Sequence, residues 1–190
     1  MGDAAEDRAK ASELPEGDVI RILLEQHARI RDLFAELKAA PAAGRKDLFQ
    51  DLRALLAVHE TAEEMVLRPQ ADDDAWKHVA DERNQEEREA NEVLKELERL
   101  DPQTDAFLDQ LTTFEKAVDA HAEAEEDQEF PRVLAACEAD ERRKLGDRLR
   151  AVEKMAPTHP HPSAAGSPVA QAMTGPFASM VDRVRDAMSR

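Results

Sequence analysis

Two copies of one short pattern carry the residues of this sequence that are best suited to chemistry. Each copy has a histidine, two glutamates four and five positions later, and a proline ten positions after the histidine. The members are His59, Glu63, Glu64 and Pro69 in the first copy, and His121, Glu125, Glu126 and Pro131 in the second. Positions i and i+4 share one face of a helix, so each copy directs an imidazole and a carboxylate to a common point. Two such helices that face each other are able to enclose a pair of metal ions.

The elements that must position these residues are long helices with short connections. Apolar residues recur in steps of three and four, and prolines, glycines and charged breaks separate the segments. The predicted helices cover residues 18–40, 45–68, 74–100 and 104–131, with a shorter helix at 139–153. The expected fold is all-α, an antiparallel up-down-up-down four-helix bundle over residues 17–155 with a short fifth helix. The copies are 62 residues apart, which is one helical hairpin, so they fall on the second and fourth helices.

The two ends of the chain differ in composition from this central region. Residues 1–16 are small and charged, and they are predicted to form a disordered tail. Residues 156–175 form a proline-rich linker, in which His159 and His161 are interpreted as a chance pair and not as a metal site. Apolar residues at helical spacing then predict an amphipathic C-terminal helix over 176–190. We expect this helix to pack on the bundle, on a partner protein or on a second copy of the chain.

Polar residues interrupt the core-facing stripe of every long helix at one level. The six candidate metal ligands at this level are His27, His59, Glu63, Glu87, His121 and Glu125. An unpaired carboxylate in a dry core costs several kcal/mol, or its pKa shifts until the group is neutral. Three carboxylates and three histidines in one layer therefore need a compensating charge, which one or two divalent or trivalent cations supply. Arg83, which lies close to Glu87 in the sequence, is the alternative source of part of that charge.

Other residues near the pattern receive simpler interpretations. His78 and Glu82 have the same spacing as the candidate ligands, but they lie off the apolar stripe and are predicted to form a surface pair. Glu60, Glu64 and Glu126 adjoin candidate ligands and also point off the stripe. Solvated positions or contacts to the outer side of a ligand are expected for these three glutamates.

Charge and cysteine content exclude several classes of protein. Lys and Arg number 26 and Asp and Glu number 42, giving a formal charge of −16, so nucleic-acid binding is not expected. The single cysteine, Cys137, allows no internal disulfide, which suits a reducing cytoplasm. The sequence shows no signal peptide and no apolar run long enough to span a bilayer, so a cytoplasmic location without membrane association is predicted.

The placement of these ligands resembles the hemerythrin-like family, also called the HHE cation-binding domain, over about residues 18–149. The linker and the C-terminal tail are similar to the tails of bacterial members. The resemblance implies two non-haem iron ions bridged by carboxylates and an oxo or hydroxo group, although zinc or manganese suits the same ligands. The positions that match the family pattern are His27, His59, Glu63, His121 and Glu125. The family usually has a histidine where this chain has Glu87.

That departure bears on function, since a carboxylate in place of imidazole gives harder, anionic ligation that favours ferric iron. The resemblance therefore implies a redox protein that reacts with or senses dioxygen, peroxide or nitric oxide, including peroxidase- or oxidase-type activity, and argues against an oxygen carrier. Two alternatives stay open. One is an iron- or oxygen-responsive binding module that signals to a protein partner through its C-terminal helix. The other is a metal-free helical scaffold in which Arg83 and the histidines neutralise the carboxylates.

Overall fold

Helices account for nearly all of the regular structure in this protein. The structure is a computed structural model, and it describes residues 2–70 and 74–154. The α-helices are α1 Ala4–Ser12, α2 Val19–Ala39, α3 Arg45–Ala62, α4 Asp74–Leu97, α5 Asp105–Ala124, α6 Phe130–Ala136 and α7 Ala139–Glu153. Short 3-10 turns occupy Ala42–Gly44 and Arg68–Gln70, and π-helical turns occupy Glu63–Leu67 and Glu125–Glu129. No strand occurs within the described ranges.

Helices α2 to α5 form the four-helix bundle that the sequence predicts. Helix α2 packs on α3 and α4 packs on α5, so the bundle consists of two helical hairpins. The side chain of Asp18 accepts a hydrogen bond from the Ile20 N–H at 3.0 Å, and Thr104 accepts one from the Phe107 N–H at 3.3 Å. Such caps satisfy donors that the first turn of a helix leaves unpaired. They fix the starts of α2 and α5 next to the positions predicted from sequence.

The N-terminal segment forms a helix where composition predicts a disordered tail over residues 1–16. Helix α1 begins after Asp3, whose side chain accepts a hydrogen bond from the Ala5 N–H at 2.8 Å, and it packs along α2. Asp7 is 1% exposed and pairs with Arg31 of α2, while Ala11 joins the apolar core. Contacts with α2 therefore order a segment whose own composition is weakly apolar.

Two apolar clusters fill the bundle, one toward each end. The first cluster includes Leu23, Val66, Trp76, Phe130 and Leu149, and it extends to α6 and α7. The second cluster includes Phe34, Leu52, Leu97, Phe107 and Leu111. On each long helix the predicted polar positions fall between the residues of the two clusters, so the polar layer crosses the bundle between two separate cores.

Helix α7 supports the outer side of the hairpin made by α2 and α3. A Cβ atom added at Gly146 would lie 2.1 Å from the carbonyl oxygen of Gly17, so this close approach requires glycine. Arg142 of α7 pairs with Asp18 at 2.7 Å, which ties α7 to the start of α2. None of the described helices combines the length and the apolar character that crossing a bilayer requires. The predicted linker over 156–175 and the predicted helix over 176–190 lie outside the described residues.

Candidate metal centre

Both copies of the histidine–glutamate pattern lie where an α-helix passes into a π-helical turn. The turn Glu63–Leu67 follows α3, and the turn Glu125–Glu129 follows α5. Each candidate glutamate is thus the first residue of a widened turn, directly after the helix that carries its histidine. Single π-turns within α-helices occur frequently at functional sites.

The widened turn changes which residue lies next to each glutamate along the helix. The N–H of Arg68 donates to the carbonyl of Glu63, and the N–H of Phe130 donates to the carbonyl of Glu125. These bonds come from residue i+5, whereas an α-helix would form them from residue i+4. The repeated proline follows immediately in both copies, and proline has no N–H with which to continue the ladder. The proline therefore marks a change of helical register, and Arg68 and Phe130 occupy equivalent places.

The structure brings all six candidate ligands into one layer. They form two groups of four residues. Within each group, the possible ligand atoms all lie within 4.8 Å of one another. The first group is His27, His59, Glu63 and Glu125, and the second is Glu63, Glu87, His121 and Glu125. Glu63 and Glu125 belong to both groups. Two ligand groups that share two carboxylates have the composition of dinuclear carboxylate centres in helical bundles. The role of each residue as a ligand stays a prediction.

Many polar atoms of this layer are buried without a hydrogen bond in the described part of the chain. Glu63 and Glu125 are 0% exposed and Glu87 is 1% exposed. The atoms concerned include both carboxylate oxygens of Glu63, Oε2 of Glu87 and of Glu125, and Nε2 of His27 and His121. Buried polar atoms in proteins are nearly always satisfied. Their concentration at one level fits a cation held by nitrogen and carboxylate oxygen, a donor set that suits iron, manganese or zinc.

Each of the three histidines is oriented by a hydrogen-bond acceptor at its Nδ1 atom. The acceptors are Glu126 Oε1 for His27 at 3.1 Å, Gln26 Oε1 for His59 at 2.7 Å, and Glu86 Oε2 for His121 at 2.7 Å. An imidazole that donates from Nδ1 presents Nε2 as its free ligand atom, and metal-bound histidines almost always have such an outer partner. All three Nε2 atoms face carboxylates of the layer, at distances of 3.1 to 3.4 Å.

A buried guanidinium group shares the second ligand group. Arg68 is 5% exposed, and its Nη2 atom lies 2.5 Å from Glu87 Oε1 and 2.7 Å from Glu125 Oε1. The same side chain lies 3.5 Å from Glu129 and 3.8 Å from Glu63. One positive charge thus faces four buried carboxylates. The layer keeps a deficit of positive charge that protons or metal ions have to supply.

The pKa values of the glutamates in this layer are shifted in opposite directions. Burial raises the pKa of Glu63 and of Glu87 well above the usual value, and the charge of Arg68 only partly opposes this shift. Burial also acts on Glu125, but the charge of His121 and the close imidazole nitrogens of His121 and His27, 3.1 and 3.3 Å away, lower its pKa well below the usual value. Without metal, the layer therefore holds protons on some carboxylates and negative charge on another.

The histidines show the same division. Burial lowers the pKa of His59 well below the usual value, and the neighbouring charge of His27 adds to that shift. Burial also disfavours the charged form of His121, yet the charge of Glu125 and the carboxylate oxygens of Glu125 and Glu86 that accept from its ring raise its pKa well above the usual value. His59 is accordingly a neutral ligand over a wide pH range, whereas His121 must lose a proton before it can bind metal.

Comparison with known proteins agrees with this geometry. The sequence profile of the hemerythrin HHE cation binding domain matches residues 18–133. This chain belongs to that family. An uncharacterised hemerythrin-like protein of Schizosaccharomyces pombe is 23% identical over 172 residues, which cover 88% of this chain and 85% of the relative. No solved structure matches the chain. The matched range contains all six candidate ligands of the HHE domain.

Sequence reasoning missed Arg68 of the HHE domain and assigned its role to Arg83. The structure pairs Arg83 with Glu86 at 2.7 Å, at the edge of the layer. The α-helical spacing that finds Glu63 continues to Leu67 and leaves Arg68 off the stripe. The π-turn moves Arg68 onto the ligand face, and Pro69 was the sequence signal of that change.

The glutamates that adjoin the candidate ligands are largely buried. They therefore do not occupy solvated positions, and two of them contact polar side chains of the bundle. Glu60 is 9% exposed and accepts a hydrogen bond from Asn91, and burial raises its pKa to about 8. Glu64 is 1% exposed. Glu126 holds the Nδ1 atom of His27.

The pair outside the layer behaves as predicted. His78 and Glu82 lie 3.5 Å apart, with side chains that are 76% and 50% exposed. The surface interpretation of this pair is confirmed. It provides an internal control for the HHE domain, because it has the same spacing as the candidate ligands but is exposed and lies outside both ligand groups.

Proposed function

We propose that this HHE domain holds a dinuclear non-haem iron centre that reacts with or senses a small oxidant such as dioxygen, peroxide or nitric oxide. The observation that carries the proposal is the pair of four-residue ligand groups that share Glu63 and Glu125. Bound iron would supply electrons to the oxidant and a Lewis-acidic point of attachment. Family membership supports cation binding in general, and the mixture of imidazole and carboxylate supports iron as the cation.

The two halves of the proposed centre differ in their ligands. His27 and His59 would hold the first ion, and His121 and Glu87 would hold the second. Glu63 and Glu125 would serve both. The second set has one imidazole and three carboxylates, so it is the harder and more anionic of the two. This imbalance supports a redox role over reversible oxygen carriage, for which an imidazole-rich site is better suited.

Reconstitution under anaerobic conditions tests the proposal. The metal-free full-length chain is titrated with ferrous iron, manganese or zinc, and the bound metal is counted. The iron-loaded protein is then exposed to peroxide, dioxygen or nitric oxide in separate samples. We expect two iron ions per chain, consumption of at least one oxidant and a new ferric absorption band. Binding of fewer than two ions, or full loading without any reaction, would contradict the proposal. The E82Q variant, altered in the exposed pair, serves as the control.

The position of Arg68 favours a second candidate, which is a helical scaffold that needs no metal. Its guanidinium already contacts Glu87 and Glu125, and the raised pKa values of Glu63 and Glu87 allow protons to meet the remaining deficit of positive charge. Metal analysis of protein purified without added metal decides between the two. Absence of bound metal, together with a melting temperature that a chelator leaves unchanged, would favour the scaffold.

A further inference from the structure

A large cavity adjoins the polar layer on the side of α4 and α5. Its volume is about 950 Å³, and its inner end is formed by His27, His59, Glu87 and His121. At about 30 Å³ per molecule of liquid water, this is the space of on the order of thirty waters, far more than dioxygen or peroxide needs. Binding sites for small organic molecules typically measure about 300–1,000 Å³. The cavity therefore has the size of an organic ligand site.

The walls of this cavity are apolar. They include Ile30 of α2, Leu56 of α3, Val93 of α4, and Phe114 and Val118 of α5. Phe114 is 2% exposed, while Val93 and Val118 are only half-buried, so apolar surface continues from the core to the opening. An apolar molecule gains free energy by covering such surface, since it removes both itself and the walls from water.

The opening of the cavity disfavours an anion. Glu89 and Asp109 line it and are exposed to solvent. Among the described residues that line the cavity, Arg31 is the one Lys or Arg, and it lies 3.4 Å from Asp119 and 3.3 Å from Glu126. An anionic ligand would meet carboxylates and a cation that is already paired. The same groups do not oppose an uncharged ligand.

The inner end can recognise one polar group. Oε2 of Glu87 is buried and lacks a hydrogen bond, while Oε1 of the same carboxylate contacts Arg68 and Nε2 of His121 lies 3.1 Å from Glu125. We propose that the cavity binds an uncharged, largely apolar organic molecule whose body lies along α4 and α5 and whose hydroxyl or aryl-amine end reaches this layer. The size of the cavity and its charge preference do not depend on the metal, whereas Glu87 can accept a hydrogen bond from the ligand only where it does not bind metal.

Two matched fluorescent probes test the charge preference. N-phenyl-1-naphthylamine is uncharged, and 8-anilino-1-naphthalenesulfonate has the same ring system with an added sulfonate. Both are titrated into the full-length chain, metal-free and iron-loaded. We expect saturable one-to-one binding of the uncharged probe, with an affinity at least about tenfold higher than that of the sulfonate. Equal affinities, or tighter binding of the sulfonate, would overturn the proposal.

A pair of equal substitutions tests the location. Ala90 lines the cavity from α4, whereas Ala35 is exposed on α2 and lies outside the cavity lining. A90F should weaken binding of the uncharged probe at least about tenfold, and A35F should leave it unchanged. The V93F variant replaces A90F if the latter does not fold. Equal binding by the lining and control variants would refute the assignment. Iron stoichiometry measured on the same proteins keeps this outcome separate from failure of the proposed metal centre.

Other occupants of the cavity give different results. The chain contains an apolar C-terminal segment outside the described residues, so F177D is measured in the full-length protein. If this substitution is required for probe binding, the C-terminal segment fills the cavity and the proposal is wrong. If the uncharged probe binds only at low protein concentration, a second copy fills it, and the proposal is also wrong. Unchanged probe affinity in F177D and across protein concentrations supports a free cavity.

Discussion

The two copies of the histidine–glutamate pattern share their spacing and a helical context but have different electrostatic surroundings. His59 in the first copy is 3% exposed, and its Nδ1 atom contacts the neutral amide of Gln26. His121 in the second copy has a side chain that is 15% exposed, and its Nδ1 atom contacts the carboxylate of Glu86. The pKa of His59 is lowered mainly by burial, whereas the charge of Glu125 raises the pKa of His121 against the effect of burial. The charge of Glu125 within the second copy, together with Glu86 on α4, thus lets His121 hold a proton that the buried His59 loses.

The copies also differ at the residue that the π-turn places beside the glutamate. In the first copy this residue is Arg68, which brings a positive charge into the layer. In the second copy it is Phe130, whose ring stacks on the imidazole of His27 with centroids 5.6 Å apart. The first copy therefore contributes a cation that would compete with a metal ion for the same carboxylates. The second copy contributes apolar packing against a candidate ligand. A repeated sequence in this domain does not imply two equivalent halves.

The shared carboxylates give the largest expected effect, and they test whether the copies act together. E63Q and E125Q each remove a ligand that both groups use, so each variant should lose both ions. The loss of affinity should exceed the roughly 10- to 100-fold typical of residues that only support a ligand. Calorimetric titration with ferrous iron under anaerobic conditions measures it, and E82Q is the control with the same helical spacing. Retention of two tightly bound ions in E63Q or E125Q would refute the shared arrangement.

Substitution of the residue beside each glutamate should give the second-largest effect and should distinguish the two copies. R68L leaves buried carboxylates without their guanidinium, so it should destabilise the metal-free protein by about 3–5 kcal/mol. F130L removes part of a packed ring and should cost about 1 kcal/mol, as is typical of a core substitution. Added metal should restore much of the stability of R68L, because a cation replaces the lost charge. Denaturant unfolding with and without metal measures both effects. Equal losses in the two variants would show that Arg68 acts only through packing.

The difference between Arg68 and Phe130 also shows what could be read from the sequence. Apolar periodicity predicted α2 to α5, because each helix buries one continuous face and the caps at Asp18 and Thr104 are local signals. The same periodicity placed the histidines and glutamates at one level. It failed at Arg68, because the π-turn shifts the register by one residue, and an α-helical count cannot show this. The proline after each turn was the one local indication.

Helix α1 was missed for a different physical reason. Composition describes how a segment behaves alone, and residues 1–16 have little apolar surface to bury. In the structure, Asp7 pairs with Arg31 of α2, and Lys10 lies 2.9 Å from Glu126, the residue that holds His27. Ion pairs between residues far apart in sequence cannot be read from the segment itself.

The outer partners of the histidines should give an intermediate effect. Q26L removes the acceptor from His59, and E86L removes it from His121, so each should weaken metal binding by about 10- to 100-fold. We expect Q26L to affect the first ion and E86L the second. E86Q keeps an acceptor but not its charge, so it should lower the pKa of His121 and spare more of the affinity. Stepwise metal titration and NMR titration of the histidine rings measure these outcomes. Loss of the same ion in Q26L and E86L would contradict the division of the layer.

The smallest effect concerns pH, and its sign follows from the shifted groups. The pKa values of Glu60, Glu63, Glu87, His27 and His121 are raised in the folded protein. Above pH 6.5 the folded state therefore holds protons that the unfolded state has mostly released, so stability falls as pH rises toward 8.5. Each such proton contributes about 1.4 kcal/mol per pH unit. The lowered groups His59 and Glu125 bind no extra proton in this range.

Thermal unfolding of the metal-free chain between pH 6.5 and 8.5 measures this slope. The E60Q variant should show a smaller slope, because it lacks one of the raised groups. Metal displaces the same protons, so the stability of the metal-loaded protein should depend much less on pH. For the same reason, metal affinity should rise with pH. A metal-free melting temperature that increases over this range would show that the raised groups do not control stability.

The position of the polar layer between the two apolar clusters has a consequence for how the molecule unfolds. The clusters around Leu23 and around Phe34 have no member in common. Without metal, we expect the two ends of the bundle to open as separate cooperative units, with different amide hydrogen exchange rates. A cation bound by residues from α2, α3, α4 and α5 would join these units, so that the ends open together. In this domain the metal would then determine whether the bundle unfolds in one step or in two.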